Sequence, residues 1–268
     1  CHGTFDFPDE DFYADPLSME AGLRRPRPDS QLVDRAAAAI RGARNPVLLV
    51  GGGIHLSRAY TELAEFVELT GMPVAYTISG KGSLADTHPL VAGLCGRYSR
   101  FANPLIEKAD VLVVVGSKLG EIATNRWTII KPGTRIVHID IDPTELGKVY
   151  RVAVGIWADA RSALADLAAA LSGDRAALAA GKTERIAEVA ALRRAWTESS
   201  EHQRVSDEQP IHMARLLHQL RLAVPPESVI VADGGFAAHW SALLYDVTAA
   251  GRTYVANRGH AAIGYGLP

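Results

Sequence analysis

The run Asn45 to Leu56, NPVLLVGGGIHL, limits the possible folds more than any other stretch of the chain. Pro46 to Val50 is continuously apolar instead of alternating, the pattern of a strand covered on both faces. Gly51, Gly52 and Gly53 follow at once, and glycine tolerates positive φ and lets backbone approach a neighbour closely. Ser57 to Thr70 then carries Leu63, Phe66 and Val67 at helical spacing. The unit reads as strand, glycine turn and helix, with the first N–H groups of the helix aimed at whatever lies above the glycines. A dinucleotide-binding turn has this shape. Here, however, Leu56 stands where a third glycine belongs, and no acid lies in Pro73 to Ser79 at the end of the next strand. The pattern therefore does not complete an ordinary NAD site.

The 268 residues suffice for one large or two ordinary domains. A net charge of −2 offers no basic surface for nucleic acid, which leaves a small molecule as the expected partner. Cys1 and Cys95 form no disulfide or metal framework and fit a reducing, cytoplasmic setting. No apolar run approaches the roughly 20 residues that span a bilayer, so no membrane partner is expected. The chain starts at Cys1 in a strand-like run and stops at Pro268 after a glycine-rich turn, and it is expected to be an internal fragment.

Taken in order, residues 1–29 read as the close of an earlier domain (GTFDFP) followed by an aperiodic, Pro- and Arg-rich linker. Residues 30–173 read as one α/β domain. Asp29 or Ser30 caps a helix from Gln31 to Ala43, and Pro73 to Tyr76 forms a second short strand after the glycine unit. Thr77 to Gly96 reads as a loop whose Ser79-Gly80-Lys81-Gly82 lacks the spacing of a P-loop. A short helix, Asn103 to Lys108, leads into the buried strand Asp110 to Val115. Arg135 to Ile141 follows, with Asp140 and Asp142 at its carboxyl end, where a parallel sheet binds ligands. Val152 to Trp157, closed by Asp159, is a further strand, and Ser162 to Leu171 its covering helix. This alternation implies a doubly wound, Rossmann-like parallel sheet. Residues 174–208 read as a solvated helical linker. Residues 209–268 open a second, incomplete α/β unit: helix Ile211 to Leu222 burying Leu216, Leu217 and Leu220, strand Val229 to Ala232, Asp233-Gly234-Gly235, helix Phe236 to Tyr245, strand Thr253 to Val255 and a glycine-spaced turn.

The pieces strand-GGG-helix, Lys81-Gly82 with His88-Pro89, ADVLVVVGS at 109–117, HIDIDP at 138–143, DGGFAAHW at 233–240 and AAIGYGLP at 261–268 occur in one order. That order resembles the acetolactate synthase group of thiamine-diphosphate enzymes. The resemblance covers nearly the whole chain, with HIDIDP and IGYGLP its most specific parts.

It implies a 2-keto acid carboligase or decarboxylase working as a homodimer or homotetramer. This chain would supply the central domain and the start of the diphosphate-binding domain, inactive by itself. Thiamine diphosphate is the implied cofactor, with magnesium held by ligands outside the chain. Ile263 matches the apolar prop that keeps the cofactor bent. Gly259, His260, Ala261, Ala262 and Gly264 would line the cofactor turn, with backbone near Ala261 on the aminopyrimidine, and Gly234, Gly235, Phe236 and Ala237 would meet the diphosphate. His239 is a candidate to face substrate, although structural histidines are commoner. Central domains of this group bind FAD, ADP or nothing, with Gly51 to Gly53, Asp140 and Asp159 the expected contacts here. The rival reading is a nucleotide-binding module, regulatory or degenerate, without carboligase chemistry.

Overall fold

The computed structural model describes residues 25–258 and 262–266. The expected closing strand at GTFDFP, Gly259, His260 and Ala261 lie outside those residues.

Six parallel strands form the main sheet: β1 (Pro46–Val50), β2 (Val74–Tyr76), β3 (Val91–Leu94), β4 (Val111–Val115), β5 (Arg135–Asp140) and β6 (Val154–Trp157). Their order is β3-β2-β1-β4-β5-β6, a doubly wound arrangement that reverses direction between β1 and β4. Those two central strands are buried at every position, because both faces of the sheet are covered.

The pleat sends alternate residues to opposite layers. Leu48, Val50, Val113 and Val115 join one core with helices α1 (Ser30–Arg41), α3 (Tyr60–Thr70) and α5 (Ala160–Leu171). Val47, Leu49, Leu112 and Val114 join the other, which takes in Leu105 and Ile106 of α4 (Asn103–Lys108). Asp29 and Asp159 cap α1 and α5, each accepting from two backbone N–H groups of its first turn.

Three expectations need correction. The helix expected over 57–70 is two pieces, α2 (Gly53–Ser57) and α3, broken at Arg58, whose φ is +53°. The loop expected over 77–96 contains β3. Gly93 at φ +85° and a register shift opposite β2 disrupt the alternation by which such a strand would be read. The segment read as a solvated helical linker is helical, as α6 (Arg175–Ala179) and α7 (Lys182–Arg204), but it is not simply solvated, because α7 lies against the main sheet. Val189 is buried in the second core with Leu192 and Trp196 beside it, and Arg193 Nη2 donates to the His88 and Val91 carbonyls at 2.9 Å.

The last unit consists of α8 (Met213–Ala223), β7 (Ile230–Ala232), α9 (Phe236–Leu244) and β8 (Tyr254–Ala256), with β7 and β8 paired in parallel. Leu217 of α8 is buried as expected, but Leu216 is 42% exposed. A buried hub ties this unit to the main sheet. Asp86 Oδ2 accepts from Lys81 Nζ at 2.9 Å and from the Val247 N–H at 2.8 Å, while Oδ1 accepts from the Tyr76 hydroxyl. Lys81, beside the glycines, is therefore wholly buried in an ion pair and unable to meet a phosphate.

Burial would raise the Asp86 pKa, but Lys81 and Arg100 outweigh it and hold the carboxyl below its usual range. A carboxylate so depressed contributes stability above its unfolded pKa of about 4 and loses it as the pH falls toward the folded value. Asp86→Asn should cost about 3–5 kcal/mol at neutral pH, because Lys81 is left as an uncompensated buried charge. Denaturant unfolding checks this: the gap between wild type and variant should narrow below about pH 4.

Candidate functional site

The carboxyl ends of the parallel strands surround a cleft of about 1250 Å³ at the reversal between β1 and β4. That is where sheets of this type bind ligands, and the volume exceeds the roughly 300–1,000 Å³ of ordinary small-molecule pockets. Gly52 and Gly53 line it after β1, Gly116 and Ser117 after β4, and Asp140 to Asp142 after β5. His138 in β5 donates from Nε2 to the Ser117 carbonyl at 2.9 Å, since a carbonyl only accepts, and so fixes that edge.

The glycine run serves the floor of this cleft in a way its sequence did not reveal. A Cβ on Gly51 would sit 2.2 Å from the Gly116 carbonyl oxygen, and one on Gly53 would sit 2.6 Å from Gly116 Cα. Gly51 thus packs against the β4 turn and is not among the residues lining the cleft. The Gly53 N–H is spent on the Gly116 carbonyl at 3.1 Å, and the Ile54 N–H on the Gly51 carbonyl at 3.3 Å. The helix start expected to point at a ligand is therefore closed upon the protein itself.

The two aspartates differ. Asp159 is buried and receives Arg25 Nη1 at 2.9 Å and Ser57 Oγ at 2.8 Å in addition to capping α5. Its oxygens are occupied by protein, which makes it a strut in the cleft wall. Asp140 Oδ1 accepts only the Asp142 N–H, at 3.0 Å, among the described residues, and its carboxylate remains a usable acceptor. Cys95 also lines the cleft, but burial pushes its thiol up to about 12, so it is a neutral wall residue.

A second cluster surrounds the end of β7. Asp233 Oδ1 accepts from the N–H groups of Gly234 at 2.6 Å, Gly264 at 2.9 Å and Tyr265 at 3.2 Å, tying the 262–266 turn to the strand end. These bonds, that from Gly234 first, hold its carboxyl below the usual range. Asp233 was quoted in the sequence motif without a role; a carboxylate followed by two glycines at a strand end was the signal. Ile263 rides on this turn 85% exposed, with Gly264 at φ +100°, and Ala262 accepts from Asn257 Nδ2 at 2.6 Å. Gly235, at φ +70°, leads into α9, whose N-terminus has no side-chain cap, and Phe236 and Ala237 are exposed there. His239 stacks on Tyr98 with ring centroids 4.0 Å apart, and its Nε2 accepts from Arg258 Nη1 at 3.3 Å. Burial, with Arg258 and Arg97 nearby, lowers its pKa. Arg258 also reaches the large cleft, a link between the two clusters that no spacing in the sequence announces.

Residues 33–167, half of the chain, match the family model described as thiamine pyrophosphate enzyme, central domain. The chain belongs to this thiamine pyrophosphate enzyme family. The match spans all six strands of the main sheet and every cleft-lining residue except Arg25 and Arg258. Among similar proteins, the acetolactate synthase large subunit of Corynebacterium glutamicum is 31% identical over 250 residues, 90% of this chain and 38% of that protein. The probable acetolactate synthase large subunit of Methanocaldococcus jannaschii is 31% identical over 243 residues, 88% of this chain and 40% of its own length. The chloroplastic acetolactate synthase 1 of Zea mays is 31% identical over 266 residues, 94% and 39% respectively. The chain thus spans about two-fifths of the length of the curated relatives it matches. Among the described residues, no helix is long and apolar enough to cross a membrane, and no group of three or more His, Cys, Asp or Glu could hold a metal ion.

The different employment of the two aspartates gives a prediction. Asp159→Ala should lower unfolding free energy by about 1–3 kcal/mol through the lost cap and the stranded Arg25 and Ser57. Asp140→Asn, which keeps the acceptor for Asp142, should change it by less than about 0.5 kcal/mol. Urea unfolding of both variants measures the contrast.

Proposed function

We propose that this chain is the central domain and the opening of the diphosphate-binding domain of a thiamine-diphosphate-dependent 2-keto acid carboligase or decarboxylase of the acetolactate synthase type. Residues 30–173 are assigned to the central domain, 174–208 to the connecting helices, and 209–268 to the start of the diphosphate-binding domain. The observation that carries this reading is the family match, together with similarity that continues past it to the α9 unit in relatives named acetolactate synthase.

The residues around β7 fit thiamine diphosphate. An uncapped nine-residue helix after Gly235 leaves backbone N–H groups suited to a diphosphate, and Ile263 stands outward on a turn clamped by Asp233. In this reading Gly234, Gly235, Phe236 and Ala237 meet the diphosphate through backbone, and Ile263 supports the bent cofactor. Gly259, His260 and Ala261, with Ala262 and Gly264, are assigned to cofactor binding. When bound, thiamine diphosphate supplies the electron sink through which a 2-keto acid loses carbon dioxide and its remaining carbons are passed on. His239, its Nε2 occupied by Arg258, has Nδ1–H to offer a substrate. Magnesium completes the diphosphate site with ligands from outside this chain. The protein is assigned to the cytoplasm as a homodimer or homotetramer.

The large cleft is proposed to hold FAD or ADP, with Gly52, Gly53 and Asp140 as contacts. Its size and its position at the strand reversal support this. A second reading, a nucleotide-binding module without carboligase chemistry, is favoured by one observation: Phe236 and Ala237 bring no side-chain donor to the α9 start.

Pyruvate consumption by the full-length protein should require both thiamine diphosphate and magnesium, and cofactor-independent turnover would reject the assignment. Ile263→Ala should lower kcat by up to roughly a hundredfold if it positions reacting atoms, with little change in Tm because the side chain is exposed. Calorimetric titration with FAD, ADP and NAD separates the readings: tight nucleotide binding without thiamine-dependent turnover favours the module.

A further inference from the structure

A second cavity, of about 300 Å³, lies where α7 and α8 meet the main sheet and the 244–248 segment. Four guanidinium groups face it: Arg100, Arg193, Arg204 and Arg221. Two carboxylates, Asp86 and Asp246, share its wall. Asp86 is already bound to Lys81 at 2.9 Å, and Asp246 is divided between Arg100 at 2.8 Å and Arg204 at 3.5 Å. Arg193 donates only to the His88 and Val91 carbonyls, and Arg221 only to the Tyr245 hydroxyl and the Val224 carbonyl, among the described residues. These acceptors are neutral, so two guanidiniums at the edge of a partly enclosed space make no direct ion pair among the described residues. Positive charge gathered this way costs free energy unless an anion shares the site. Burial lowers the Arg193 pKa even against the pull of Asp86 and Asp246, and Arg100 adds to the lowering.

Two neutral groups point to the same conclusion. Thr248 Oγ1 is buried in the cavity wall with no hydrogen-bond partner among the described residues, and native proteins rarely leave such an atom unsatisfied. His218 Nδ1 lies 3.1 Å from Arg204 Nη2; because a guanidinium only donates, Nδ1 accepts and the ring proton sits on Nε2 as a further donor.

We propose that this cavity binds a small phosphate-type dianion, taken between Arg193, Arg204 and Arg221 and completed by the Thr248 hydroxyl and His218 Nε2–H. Donors arriving from two helices and a loop suit the tetrahedral oxygens of a phosphate better than the single plane of a carboxylate. The bound anion bridges α7, which packs on the main sheet, to the unit carrying the cofactor turn. Its occupancy therefore stabilises the junction between them.

The test uses the full-length protein saturated with thiamine diphosphate and magnesium, so that diphosphate-binding positions are filled. Thermal unfolding is followed with inorganic phosphate, and with potassium chloride or malonate at equal ionic strength. Phosphate should raise Tm beyond the chloride control, and titration calorimetry should show Kd rising at least about tenfold in Arg204→Gln, the loss of one charge-assisted hydrogen bond. Thr248→Val, nearly isosteric and leaving every ion pair intact, should weaken phosphate binding several-fold and serves if Arg204→Gln does not fold. A phosphate effect no larger than that of chloride, or one retained in full by Thr248→Val and Arg204→Gln alike, overturns the proposal. So does malonate binding as tightly as phosphate, since that reassigns the cavity to dicarboxylates.

Discussion

Gly53 and Gly116 bring two chain segments together at backbone level where the strand order reverses, with Gly51 packed against the same turn. A single methyl group there would force the first and fourth strand ends apart. Gly53 and Gly116 line the large cleft, so that contact forms part of its floor. Glycine is needed at 51 and 53 for space, and at 116 also for a φ of +60°.

The main sheet was readable because β1 and β4 are uninterrupted apolar runs, and a strand covered on both faces demands such a run. The cap of α1 was readable too, since aspartate before an apolar periodicity has one common purpose at a helix start, whereas the cap Asp159 was read as a ligand contact. What failed was local signal overruled by tertiary packing. Gly93 hid β3, while α7 was readable as a helix but carries so much charge that it passed for a solvated one, and its contacts reveal that it covers the sheet. At the site, HIDIDP located the β5 edge correctly, but which aspartate stays available depended on Ser57 and Arg25, residues 102 and 134 positions away from Asp159. Glycine-rich sequence likewise does not say whether its backbone approaches a ligand or another strand.

Between the main sheet and the last unit, apolar residues such as Tyr245, Val247 and Tyr254 share the larger core, and a set of polar contacts accompanies them. Asp86 accepts from groups on both, Arg100 donates to the Leu243 and Tyr245 carbonyls and pairs with Asp246, and Arg258 lies between His239 and the large cleft. Buried polar contacts of this kind are directional and tolerate little sliding. They fix the relative orientation of the sheet and the 262–266 turn more sharply than apolar packing of equal area would.

The buried pairing of Lys81 with Asp86 also constrains how this protein can diverge. Exchanging either partner alone strands a charge in the interior, whereas replacing both by apolar residues of matching volume can be neutral. Descendant lineages that abandon the pair must therefore cross an intermediate of reduced fitness, or change the two positions in concert, and Val247 would have to find another acceptor for its amide in the same step.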